Sequence, residues 1–173
     1  MDVFIFSFLL IAIIEAIISG RWNPTYFRVG IPVYSKTLLF EDASPESLEA
    51  EALNDAFRRS LTPSLVFKKI GVGEFAFREK LFQFVLLTYT PIMHGRLQIS
   101  PTSKEVRVIG LLNWWILAFV LTFFVFFPHD LDFVPFLFVV LAVIYLFQKS
   151  KYDKVGRFAS QCCSFTPSGI ESG

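Results

Sequence analysis

Histidine and cysteine are scarce, with two of each in 173 residues. Cys162 and Cys163 are adjacent and late in the chain, so they supply no disulfide framework. His94 and His129 fall on opposite sides of the membrane in the topology derived below, which removes a shared zinc site. The Gly71-Val72-Gly73 triplet lacks the longer glycine pattern that cradles phosphate in nucleotide-binding loops, and no nucleophile-elbow motif is present. No cofactor, metal or catalytic constellation is expected. Net charge is also small, at +1. A dedicated nucleic-acid binder needs a concentrated basic surface, so nucleic acid is not an expected partner.

Apolar residues are what the chain has in excess. Hydrophobic residues make up 54% of it, with 22 phenylalanines and a mean hydropathy of +0.55, more than an ordinary soluble domain carries. Insertion into a lipid bilayer accounts for that excess. Residues 3–19 form a first apolar run, read as a retained membrane helix because no basic region precedes it and no small-x-small cleavage pattern follows. Residues 108–127 give 20 more, long enough to cross the hydrocarbon core as a helix. Pro128, His129, Asp130 and Asp132 interrupt the run, and residues 133–147 continue it as the returning arm of a hairpin. That arm is short for a full crossing, and a re-entrant hairpin is its alternative.

The expected fold is therefore an α+β membrane protein with three transmembrane helices, one N-terminal and two in a C-terminal helical hairpin. A small β-rich cytoplasmic domain containing one amphipathic helix lies between them. The divisions are an N-terminal helix (1–20), a membrane-proximal α+β domain (21–107), the hairpin (108–148) and a flexible cytoplasmic tail (149–173). Within the domain, residues 26–29 and 33–40 read as strands, and Ser44-Pro45-Glu46 reads as a helix start. The amphipathic helix has Leu48, Ala52, Ala56 and Phe57 along one side and Leu53 at the edge. A strand is expected where Phe75 and Phe77 alternate with Glu74, Ala76 and Arg78, and another over residues 82–90. The clearest pattern is a hairpin in which Leu97 and Ile99, then Val106 and Val108, alternate with polar residues around a turn at 101–104. Its second strand feeds straight into the apolar hairpin.

Lysine and arginine flank the apolar segments at Arg21, Arg28, Lys104, Arg107, Lys149 and Lys151, whereas the hairpin loop has none. The positive-inside rule then puts the soluble domain and C-terminus in the cytoplasm and the N-terminus and hairpin turn outside, a multi-pass arrangement. Trp22, Trp114 and Trp115 suit anchoring at the membrane interface. Glu15 is an acid inside an apolar helix. It fits an interfacial position, a contact to the hairpin, or a proton or ion path. His94, Arg96, Lys104 and Arg107 are candidates for contact with an anion or a charged surface.

Three functions fit these features. The first is a noncatalytic membrane-anchored interaction or scaffold protein whose domain binds a protein partner or the anionic membrane surface, with homo-oligomerisation open. The second is a small membrane-associated enzyme acting on a lipid-linked substrate through groups such as His94, Arg96 and Glu74. The third is an oligomeric channel or transporter subunit with Glu15 inside the assembly.

Overall fold

Alternating apolar and polar residues at 93–100 and 105–112 build two adjacent inner strands of a sheet, around which the rest of the chain is arranged. A computed structural model describes residues 2–40, 49–60, 65–79, 92–126 and 133–164. The strands are β1 (Pro32–Leu39), β2 (Leu65–Gly71), β3 (Glu74–Glu79), β4 (Met93–Ser100) and β5 (Glu105–Leu112). They form one antiparallel sheet in the order β1-β5-β4-β3-β2. The helices are α1 (Asp2–Gly20), α2 (Pro24–Arg28), α3 (Ala50–Ser60), α4 (Trp114–Phe126) and α5 (Phe133–Ser164).

One row of paired residues crosses all five strands: Phe67, Phe77, Gly95, Gly110 and Tyr34. The two glycines open a trough between aromatic rings, and Tyr152 of α5 occupies it, 4.8 Å from the Phe77 ring and 5.8 Å from that of Tyr34. A Cβ at Gly95 would collide with the Phe77 ring, and one at Gly110 would press on Met93 and Tyr152. Phe57 of α3 extends the packing, 5.5 Å from Phe67 and 5.4 Å from Phe158. Such aromatic pairs contribute about 0.5–1.5 kcal/mol each beyond the area they bury. The inner sheet face is thus covered by α5 and α3, and the core lies between them.

Polar groups fix α5 on this face. The buried Gln148 side chain accepts from the amides of Ile92 (3.1 Å) and Met93 (3.2 Å), and the Tyr152 hydroxyl donates to the Met93 carbonyl. Lys151 pairs with Glu79 at 2.9 Å, both buried, and Tyr34 and Lys36 both donate to Asp153. Before Gln148 the helix is otherwise: Phe136, Phe138, Val139, Val143, Leu146 and Phe147 are exposed. One continuous helix therefore has an exposed apolar half and a half seated on the sheet.

Several expectations need correction. Among the described residues one helix, Val134–Cys163, is long and apolar enough to cross a membrane; Leu9–Gly20 and Trp114–Val125 are shorter apolar helices. This overturns the three-transmembrane-helix fold and with it the multi-pass topology, its outside N-terminus and its cytoplasmic C-terminus. The fold is mixed α/β with one long apolar helix. The physical reason lies in residues 108–112, which belong to β5 and pair with both β1 and β4. That strand is covered on both faces, so it reads as an unbroken apolar run and leaves α4 only 13 residues. Lys104, expected near a membrane end, occupies the β4–β5 turn at the opposite end of β5 from α4. Eight strand residues separate them, about 27 Å.

Residues 26–28 are helical, not extended, because the Asn23 side chain accepts from the Thr25 amide at 2.9 Å and Pro24 occupies the first turn, and Val29 follows as an extended C-cap. The expected loose tail is instead helical to Ser164. On α3 the buried stripe is Leu53 and Phe57, while Ala52 is exposed. The helix start at Ser44-Pro45-Glu46, the strand at 82–90 and the turn holding His129, Asp130 and Asp132 lie outside the described residues.

Candidate functional site

Two polar assemblies occupy the outer side of the sheet. The first joins α1, α2 and α4. Glu15 is buried, and its carboxylate accepts from the amides of Trp114 (2.9 Å) and Trp115 (2.6 Å) and from the Tyr26 hydroxyl. These amides open α4, where the helix has unsatisfied N–H groups and a partial positive charge. An acid from α1 thus caps a helix far away in sequence. Asn113 precedes α4, and its Oδ1 lies 2.7 Å from His94 Nδ1. His94 Nε2 lies 3.2 Å from the Tyr26 carbonyl, and the imidazole and Tyr26 rings stack at 4.2 Å. Burial, reinforced by the Glu15 carboxylate, pushes the Tyr26 hydroxyl above its ordinary range, so it stays protonated and donates. Burial pulls His94 below its ordinary value, against the opposing bonds to Asn113 and Tyr26.

The second assembly lies further along the outer face. Arg28, Arg96 and Arg107 line a hollow of about 560 Å³ with Ser35 and Gln98, floored by Ile109 and Leu111. Alternation places Arg96 and Gln98 on the face opposite Leu97, and Arg107 and Ile109 opposite Val108. The segment after α2 forms one rim and is held to the sheet by the Leu112 amide donating to the Ile31 carbonyl at 2.9 Å. Glu74 lies beside the hollow. Arg28 donates to it through Nε (3.1 Å) and Nη2 (2.7 Å), and Arg96 contacts its other oxygen. Burial raises the Glu74 pKa, but the bonds and charges of the two arginines outweigh this and hold it below the usual carboxylate value. The Nε–H of Arg96 is buried without a hydrogen-bond partner, an arrangement that costs about 1–3 kcal/mol. Arg107 is exposed and has no carboxylate partner among the described residues.

The residues singled out from sequence therefore separate. Arg96 and Arg107 share the hollow, whereas Arg28 was noted only as a membrane-flanking charge. His94 is 2% exposed and belongs to the capping assembly, so it presents no surface to an anion. Lys104 lies in the distal turn, where its carbonyl accepts from the Phe40 amide. His94 and Glu74 are not brought together: Glu74 pairs with Gln98, four residues along β4 from His94, about 13 Å. Trp114 is exposed at 43%, Trp115 is half-buried, and Trp22 stacks on Phe27 at 5.5 Å beneath the Arg78 guanidinium. Among the described residues no three histidine, cysteine or acidic side chains are placed to hold a metal ion. No protein-family model, curated protein or solved structure matches this chain.

Proposed function

We propose that this chain is a noncatalytic, membrane-anchored interaction domain in which the exposed half of α5 enters the lipid and fixes the sheet at its surface. The carrying observation is the change of character at Gln148. Before it, α5 keeps a stripe that includes Leu137, Leu141, Ile144 and Tyr145 against the protein and exposes apolar side chains over the rest of its girth, at consecutive positions such as Phe138, Val139 and Val140. A second protein groove would cover one more side of the helix, whereas lipid covers every side the fold leaves open. From Gln148 onward the same helix is pinned to β1, β3 and β4 by buried and half-buried polar bonds, so anchor and sheet move together. Exposed apolar residues of α1 and α4, among them Leu10, Ile14, Leu121 and Val125, extend the apolar collar.

The noncatalytic reading is supported by how the titratable groups are used. His94 is enclosed with both ring nitrogens facing oxygen atoms, and Glu15 caps α4 through two amides. Alkaline carbonate extraction tests the anchor. The full chain should stay with the membrane pellet, and a Val139→Glu/Val143→Glu pair should release it with unchanged far-ultraviolet circular dichroism. Quantitative release of the unsubstituted chain would refute anchoring. Protein partners would then be sought by crosslinking from the sheet's outer face.

A further inference from the structure

We infer that the hollow lined by Arg28, Arg96 and Arg107 is a binding site for a phosphate monoester group. Three guanidinium groups stand against one carboxylate there, leaving two positive charges. A phosphate monoester carries close to two negative charges at neutral pH, which matches that remainder. Guanidinium forks bind tetrahedral oxyanions through paired N–H bonds, and Ser35 and Gln98 add uncharged polar groups at the same wall. Glu74 holds Arg28 and Arg96 in place without the ligand, so their side chains are ordered before it arrives. At about 560 Å³ the space admits the phosphate with a small attached group, and the Ile109 and Leu111 floor suits the carbon part of an ester. The assignment is independent of the membrane reading, because the same chemistry is offered by a soluble phosphate ester and by a lipid headgroup.

The test uses the full chain in uncharged detergent micelles at constant ionic strength. Inorganic phosphate, glycerol 1-phosphate, dioctanoyl phosphatidic acid and dioctanoyl phosphatidylcholine are each titrated by calorimetry. Saturable binding of the phosphate monoesters, and none of phosphatidylcholine, is expected. Tighter binding of phosphatidic acid than of glycerol 1-phosphate identifies a lipid source, and equal binding a soluble one. Arg107→Gln, at an exposed position, should weaken binding about tenfold while leaving the unliganded unfolding midpoint unchanged. No saturable binding of any phosphate monoester, or unchanged affinity in Arg107→Gln, would overturn the assignment.

Discussion

Replacing Glu15 removes the acid that caps α4 and joins it to α1. In Glu15→Ala the amides of Trp114 and Trp115 and the Tyr26 hydroxyl lose their common acceptor in a buried setting. A hydrogen bond to a charged group contributes about 1.5–3 kcal/mol, and loss of a helix cap about 0.5–2 kcal/mol. The bonds share one carboxylate and do not add fully, so about 3–4 kcal/mol is expected for alanine. Glutamine keeps one carbonyl acceptor but turns an amide donor toward the remaining N–H, and about 2 kcal/mol is expected. For a chain of this size 3 kcal/mol lowers the unfolding midpoint by roughly 6–12 °C. Thermal unfolding of the purified chain in mild detergent, followed by tryptophan fluorescence, reads this directly because Trp114 and Trp115 adjoin the site. A Glu15→Ala midpoint within about 1 °C of the unsubstituted chain would refute the capping role. An ion-conducting Glu15 would give the opposite pattern, with flux into proteoliposomes lost and the midpoint unchanged.

Gly95→Ala drives a methyl into the buried Phe77 ring and should cost about 2–3 kcal/mol in urea unfolding, whereas Ser100→Ala at the strand's end should stay within about 0.5 kcal/mol. Glu79→Ala removes the acid that pairs with the buried Lys151, a loss of about 3–5 kcal/mol, and combining the change with Lys151→Met should recover much of it. His94 sets a pH dependence. Its folded pKa is depressed below an unfolded value near 6.5, so below that pH the unfolded chain binds the extra proton. The stability due to His94 is present above pH about 6.5 and is lost progressively as pH falls toward its folded pKa, with a slope of at most about 1.4 kcal/mol per pH unit. His94→Gln should flatten the unfolding midpoint between pH 7 and about 5, and an unchanged slope would remove His94 as its source.

The β4–β5 hairpin was readable because each strand has one face in the core and one outside it, so polarity alternates along it. The end of β5 was not, because α5 covers it from one side and the segment after α2 from the other. An apolar strand covered twice has the composition of a membrane helix, and length alone then favours the helix. The seated half of α5 carried a signal that was passed over: Gln148, Tyr152, Val155, Ala159 and Cys163 recur at three- and four-residue spacing and are all buried. Glycine and serine nearby suggested a loose tail, although Gly156 lies so close to the sheet that a Cβ there would press on Leu38 and Val108. Glu15 was recognisable as costly but its role was not, since the amides it caps are about a hundred residues away and no local pattern names them. Arg28, Arg96 and Arg107 come from three separate elements, and only the sheet register brings them to one hollow.

On the proposed reading α5 passes as one helix from lipid into the sheet, with the change at Gln148. Single spin labels along α5 of the full chain in phospholipid nanodiscs test it, read as accessibility to oxygen and to a water-soluble nickel complex. Labels at Phe138, Val139, Val143 and Leu146 should respond to oxygen and not to nickel, while Lys154 and Arg157, exposed beyond the change, should respond to nickel. Nickel access throughout residues 138–146 would contradict the account.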